Sequence, residues 1–352
     1  MTPIERVLLI QTGFLGDLIL STPLIRATKE AFPSAELSFL SIPSVAEALA
    51  HNPNLSQVFT YDKRGRERGV RGFLQVRERL RKAKFDLALI PHRSLRSALL
   101  ALGAGIRERI GFDRSAGFFL LTKRVAYRWD SHEVERNLSL LSPLGIMPRP
   151  TPPELFPSDG EKGKVREFLR EVGVSPQDRL VGLAPGSFWA TKRWPRERFA
   201  QLGRMIRGYG GKVVLLGSSS DRAICQAISS LMGGEAIMAA GRLTLLEAAW
   251  LLTKLRVLVA NDSAPVHMAS AMGTPVVALF GPTVPQFGFG PWGEGEVIQK
   301  ELPCRPCSPH GPHSCPRGSW DCMLGIGAEE VFARVVEYLP RPQSKRARLY
   351  GG

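Results

Sequence analysis

The sequence predicts an α/β protein of two doubly wound parallel-sheet domains facing across a cleft, and three observations carry that prediction. Short continuous apolar runs alternate with amphipathic stretches, the pattern of strands buried on both faces between covering helices. A dense proline cluster separates two such series. Each series also holds Gly-containing polar segments where a strand gives way to a helix, the place where open α/β sheets bind ligands. A chain of 352 residues is long enough for two domains, each with its own core.

In the first series, residues 7–10 read as a buried strand, followed by a Gly-containing loop and a helix over about 21–31. Further strands are expected at 36–42, 58–61 and 86–91, with helices at 73–82 and 95–102. Pro143, Pro148, Pro150, Pro152, Pro153 and Pro157 then crowd a stretch that suits neither a helix interior nor a central strand. Beyond it, strands are expected at 180–184, 212–216, 257–260 and 275–280. Helices fall at 196–209, 221–232, 245–253, 265–272 and 329–339. The division is 1–150 for the first domain, 151–157 for a Pro-rich linker and 158–327 for the second domain, with a Cys-rich loop at 303–323. The helix at 328–340 is expected to pack back towards the N-terminal domain, and 341–352 to be a basic tail.

Hydrophobic residues make up 44% of the chain and charged residues 22%, a globular rather than a disordered balance. No apolar run approaches the ~20 residues of a membrane-spanning helix. The N-terminus carries Glu5 and runs straight into a strand, unlike a signal peptide. The expected location is cytoplasmic. A net charge of +15 implies an anionic partner: nucleic acid, an anionic membrane surface or a phosphorylated substrate. Residues 61–84 concentrate Lys63, Arg64, Arg66, Arg68, Arg71, Arg77, Arg79, Arg81, Lys82 and Lys84 against only Asp62, Glu67 and Glu78. This stretch is either a solvated face or a docking surface for phosphate-bearing lipid headgroups. Nucleic-acid binding ranks low, because no helix-turn-helix or RNA-recognition signature occurs and aromatics do not concentrate in the basic stretch.

Three segments carry candidate chemistry. Gln11-Thr12-Gly13-Phe14-Leu15-Gly16-Asp17 lies between the first strand and helix. Gly13 and Gly16 permit close backbone approach to a ligand, but their spacing is not the dinucleotide fingerprint, which argues against a nicotinamide enzyme. Asp17 is either a helix cap or a carboxylate at the cleft mouth, able to accept a proton from an incoming hydroxyl. Pro185-Gly186-Ser187, followed by Lys192-Arg193-Trp194-Pro195, places a Gly-Ser turn and two cations before a helix. That suits a diphosphate, with Ser187 and backbone amides donating and Lys192 offsetting charge; a surface turn over a packed Trp is the other reading. Asn261-Asp262-Ser263-Ala264-Pro265-Val266-His267 packs Asp, Ser and His into one strand-to-helix junction, with Gly281-Pro282-Thr283 after the next strand lining the same crevice. His267 either serves the fold or donates to a phosphate.

Taken in order, Gly-Asp-Leu-Ile-Leu-Ser-Thr-Pro, Pro-Gly-Ser…Lys-Arg-Trp-Pro, Asn-Asp-Ser-Ala-Pro-Val-His-Met-Ala-Ser-Ala and Leu-Phe-Gly-Pro-Thr resemble the ADP-heptose:lipopolysaccharide heptosyltransferases of glycosyltransferase family 9, and the type II enzymes more closely. The resemblance spans roughly residues 4–340. It implies the GT-B architecture of two Rossmann-like domains, with an acceptor-binding first domain and a nucleotide-sugar-binding second one. It further implies inverting transfer of heptose from ADP-L-glycero-β-D-manno-heptose to the lipopolysaccharide inner core (heptose-Kdo-lipid A) without any cofactor required for catalysis. Under it Asp17 is the general base and Lys192 the diphosphate-binding lysine. Gly13, Gly16, Ser187, Asp221, Asp262, Ser263, His267, Gly281 and Thr283 complete the donor site, Asp221 as a ribose contact. Ala264 stands where many members have Gly. Arg64, Arg66, Arg93 and Arg96 are candidates for the acidic acceptor, at the inner face of the inner membrane. A transferase using another nucleotide sugar is the neighbouring alternative.

Of five cysteines, Cys225 reads as buried packing. Cys304, Cys307, Cys315 and Cys322 share a Pro- and Gly-rich loop, with His310 and His313 between them. Four close thiols in a cytosolic chain suggest a structural zinc or another thiolate-bound metal; reduced thiols and disulfides stay open.

Overall fold

The computed structural model describes residues 3–339; the basic tail expected at 341–352 lies outside them. The first half forms β1 (Arg6–Ile10), α1 (Leu15–Leu20), α2 (Thr22–Ala31), β2 (Glu36–Ser41), β3 (Gln57–Thr60), α3 (Gly69–Lys82), β4 (Leu87–Ile90), α4 (Leu95–Gly103), β5 (Glu108–Phe112), β6 (Lys123–Val125) and α5 (Glu133–Ser139). Its strands make one sheet in the order β3-β2-β1-β4-β5-β6, parallel throughout. Val7, Leu8, Leu9 and Ile10 are all fully buried, which is why the central strand reads as unbroken apolar sequence rather than as an alternation.

The second half forms α6 (Asp159–Glu171), β7 (Leu180–Ala184), α7 (Arg196–Gly208), β8 (Lys212–Leu215), α8 (Arg222–Leu231), β9 (Ile237–Met238), α9 (Leu245–Leu252), β10 (Leu255–Asn261), α10 (Ala264–Ala271), β11 (Val276–Phe280), β12 (Gly295–Gln299), α11 (Asp321–Leu324) and α12 (Ala328–Val335). This parallel sheet runs β12-β11-β10-β7-β8-β9. Local signals set helix starts: Ser158 with Glu161 opens α6 and Thr244 with Glu247 opens α9, each a reciprocal capping pair. In both sheets the winding reverses beside a central strand, between β1 and β4 and between β10 and β7. Such switch points leave a crevice at the carboxyl ends of the strands. The loops after β1, β4, β7 and β10 all open there.

Three expectations are corrected. The helix expected over about 21–31 is present as α2, but the loop expected before it is largely helical: α1 starts at Leu15, so Asp17 sits in a helical first turn. The chain breaks after it because Ser21 and Thr22 return their hydroxyls to the carbonyls of Leu18 and Ile19, and Pro23 has no N–H to give. The α12 helix packs on α7 and β11 of its own half instead of returning to the N-terminal half, since Ala328, Val331 and Val335 join the C-terminal core. The stretch 151–157 is not a loose tether. Glu154 takes the Thr22 hydroxyl with its N–H at 2.8 Å and pairs its carboxylate with Arg26, and Leu155 is buried.

The halves touch along several seams, one of them where the Glu133 amide donates to the Gly288 carbonyl at 2.9 Å and Arg136 reaches the Phe287 carbonyl. The α1 helix lies against α10, and a short 3-10 helix at Pro43–Leu49 lies against α9, where the Leu246 amide donates to Glu47 Oε1 at 3.1 Å. Among the described residues no helix is long and apolar enough to cross a membrane.

Candidate active site

A cavity of about 780 Å³ occupies the crevice between the two sheets. Its walls include Gly16 and Asp17 from the first half, and Ser187, Lys192, Asp221, Asp262, Ser263, His267 and Thr283 from the second. Eight of the residues singled out from the sequence as donor-site or catalytic groups therefore meet with Gly16 in one space. Gly13 and Gly281 stand just behind the walls. Gly13 offers its amide to Gln11 Oε1 at 3.0 Å, and Gly281 packs on Met323.

On the N-terminal wall, Asp17 Oδ2 accepts the Phe14 amide at 3.0 Å. The helix-capping reading and the cleft-facing reading of this carboxylate are thus both met by the same side chain. Burial raises its pKa above the usual carboxylate value, opposed by that amide and by His310 and Arg93. Glu133 lies near enough to feel Asp17, and burial pushes it up to about 7 against the pull of Arg136, which it meets at 2.7 Å. Gly16 is required for a reason other than ligand approach. A Cβ there would stand 2.9 Å from His267 Cδ2, so the glycine is what lets α1 settle on α10.

The C-terminal wall is a closed polar network. Lys192 Nζ lies 2.6 Å from Asp262 Oδ2, and the Thr283 hydroxyl donates to the same oxygen at 2.5 Å. All three are buried. Asn261, at the end of β10, accepts the Trp194 amide and donates to the Pro185 carbonyl, locking the β7 turn to the β10 turn. Ser263 gives its hydroxyl to the carbonyls of Gly186 and Asn261, so its side chain serves the turn. Asp221 receives the Ser218 amide and hydroxyl and fills the space left open by Gly186 and Gly217. His267 is buried, its pKa lowered to about 4 by desolvation, and its Nδ1 has no protein partner. It is a neutral imidazole over the working pH range.

The four arginines expected at the acceptor side line none of this cavity. Arg93 comes nearest: it stacks 4.1 Å over Tyr127 and 5.4 Å over Trp129, and its charge reaches Asp17. Arg64 covers Phe14, and Arg96 bonds the Tyr61 hydroxyl at 3.2 Å. Arg66 is exposed on the Asp62–Glu67 turn, apart from the others.

The metal centre suggested by the spacing of the four thiols finds no support in their arrangement. Among the described residues no group of three or more His, Cys, Asp or Glu side chains converges as metal ligands. The guanidinium of Arg305 lies among these sulfurs instead and is spent on backbone carbonyls. Local spacing fixes only how close the thiols are in sequence, while ligation needs their vectors to converge.

Several cleft residues were missed. Leu243, Leu245, Ala248 and Leu252 form an apolar wall that sequence shows only as an amphipathic helix. Phe14 and Phe188, both exposed, bring their rings to 5.2 Å across the cleft mouth, a pairing no local pattern could reveal. Pro309 and His310 reach the cavity from the Cys-rich loop.

Two doubly wound parallel sheets facing a crevice, with a carboxylate on one wall and a lysine-centred polar cradle on the other, define a glycosyltransferase of the GT-B type. The glycosyltransferase family 9 (heptosyltransferase) model matches residues 73–314, and the chain belongs to that family. It is 29% identical over 302 residues to lipopolysaccharide heptosyltransferase 2 of Salmonella typhimurium, covering 80% of this chain and 84% of that one. It is also 29% identical over 315 residues to lipopolysaccharide heptosyltransferase 1 of Pseudomonas aeruginosa, covering 86% of each. The solved structure of E. coli ADP-heptose lps heptosyltransferase II superposes with a TM-score of 0.76 at 25% identity, over 95% of this chain and 98% of that one.

Proposed function

We propose that this protein is an inverting heptosyltransferase that moves heptose from ADP-heptose to the inner core of lipopolysaccharide. The observation that carries the reading is the meeting of Asp17 and Lys192, from different halves of the chain, in one cavity. Inverting transfer is a single in-line displacement: a base takes a proton on one face of the sugar while the diphosphate leaves from the other. Asp17 is the base in this reading, and Lys192, held at 2.6 Å by Asp262, receives the departing diphosphate. His267, which lines the same wall, is a further polar group on the phosphate side in this reading, with Asp221 on the ribose side. The apolar wall from Leu243 to Leu252 suits a nucleobase.

The first half, 1–150, is then the acceptor lobe and 158–327 the donor lobe. The acceptor is an anionic glycolipid, and the first half is suited to one. Arg93, Arg96, Lys63 and Arg64 cluster on the Asp17 side, and Val70 and Leu74 stand exposed on α3 among its arginines. In this reading the protein works in the cytoplasm, resting on the inner face of the inner membrane, and that basic and apolar surface supports the placement.

The test is a donor screen on the purified full chain with a heptose-Kdo-lipid A acceptor, following release of ADP, UDP or GDP. Release of ADP from ADP-heptose alone supports the reading. Turnover of a different nucleotide sugar, with ADP-heptose inert, would replace heptose by that sugar and leave the mechanism standing.

A further inference from the structure

The Cys-rich loop is fastened to both turns of the donor wall. The Arg305 guanidinium bonds the carbonyls of Gly281 and Thr283, the latter at 2.7 Å, and the Cys307 amide donates to the Pro282 carbonyl at 2.8 Å. Farther along, the Thr191 hydroxyl donates to the Pro312 carbonyl at 2.6 Å, and the His313 ring lies 4.5 Å from Trp189. Between these anchors Gly311 packs on the stem of Lys192, in a left-handed conformation (φ +85°) where a Cβ would meet Lys192 Cε at 3.1 Å. The segment between the anchors can only lie over Lys192, and it delivers His310 into the cavity wall.

His310 makes no hydrogen bond within the described protein, and its imidazole faces the charges of Asp17, Lys192, Arg93 and Asp262 at once. Asp17, Lys192 and Asp262 line the cavity in which the sugar sits on the proposed reading. Asp262 already pairs with Lys192, and the Arg193 guanidinium beside them is engaged by the Ser187 carbonyl, so an arriving diphosphate gains from further donors. A donor anchored to Lys192 and to the 281–283 turn moves with that diphosphate, not with the acceptor.

We infer that His310 is a catalytic residue of the transfer, its imidazole N–H hydrogen-bonding the diphosphate as it departs. The inference rests on the glycosyltransferase reading above. In the step, the bond from the anomeric carbon to the diphosphate oxygen breaks and its electron pair stays on that oxygen. The acceptor hydroxyl oxygen forms the new bond to the same carbon, and its proton passes to Asp17. His310 keeps its own proton throughout, and its contribution grows as charge develops on the leaving oxygen.

The experiment compares H310A and H310Q with the parent, using ADP-heptose, the glycolipid acceptor and calorimetric titration with ADP. Removing one such donor lowers kcat by roughly 10²-fold. H310A should show that loss, bind ADP several-fold more weakly, and keep the parent's acceptor KM and thermal midpoint. H310Q, which retains an N–H donor of similar reach, should recover a substantial part of kcat. A merely structural role would instead lower the midpoint and disturb acceptor and donor alike. An H310A enzyme within twofold of the parent in both kcat and ADP affinity overturns the inference, as does a glutamine variant no better than alanine. A parent that turns over no nucleotide sugar in the donor screen sinks the proposed transfer itself, and this inference with it.

Discussion

On the donor wall Lys192, Asp262 and Thr283 are buried and bonded to one another, while on the acceptor wall Arg64, Arg93 and Arg96 rest on aromatic rings and remain half-buried or exposed. The difference concerns preorganisation. A buried, mutually satisfied network holds its geometry before the ligand arrives and stabilises developing charge without reorganising. Cations stacked on rings at a wet surface keep side-chain freedom and adapt to a larger, variable anion. On the proposed reading, the first kind of wall suits a single small ligand and the second a glycolipid surface.

The contrast can be broken most forcefully at its two chemical poles. Asp17→Asn keeps an oxygen for the Phe14 amide but cannot accept a proton, so kcat should fall by about 10³-fold, within the usual range for general bases. ADP affinity should be unchanged. Because burial raises the folded-state pKa of Asp17, its ionised form carries a penalty that grows as pH rises from the unfolded value through the folded one. The variant should therefore be as stable as the parent, or more so, at neutral pH. A large drop in the thermal midpoint would contradict this. For the same reason the acid limb of kcat/KM in the parent should fall above the ordinary carboxylate range and vanish in the variant.

Lys192→Met should differ in kind. It strands a buried carboxylate, so it should cost about 3 kcal/mol of stability as well as roughly 10²-fold in kcat, read by denaturant unfolding and by turnover. A catalytic loss without a stability loss would show that the network is not the preformed unit described. Smallest is the effect on the acceptor wall. The double variant Arg93→Ala, Arg96→Ala should raise acceptor KM by about tenfold, increasingly so at low salt, and leave ADP binding untouched. Equal loss of donor and acceptor binding would erase the distinction between the walls.

Much of the donor wall was legible in the sequence because it consists of residues a few positions apart at strand ends. Ser187 with Lys192, and Asp262 with His267, are each set by one turn. Central strands such as β1 and β7 were legible because burial on both faces leaves no room for a polar residue. The edge strands β6 and β9 were not, being three and two residues long with half-exposed side chains. The ion pair of Glu133 and Arg136 was also invisible, since its meaning depends on Arg136 reaching the Phe287 carbonyl at 2.6 Å in the other half. The surroundings of His310 were hidden for a related reason: Asp17, Arg93, Lys192 and Asp262 all come from other, distant segments of the chain.

Gly16 seated on His267 places one of the contacts between the two halves directly beside the reacting groups. A side chain at position 16 would therefore act as a wedge driven in beside the workpiece, pressing on His267 next to Asp17 itself.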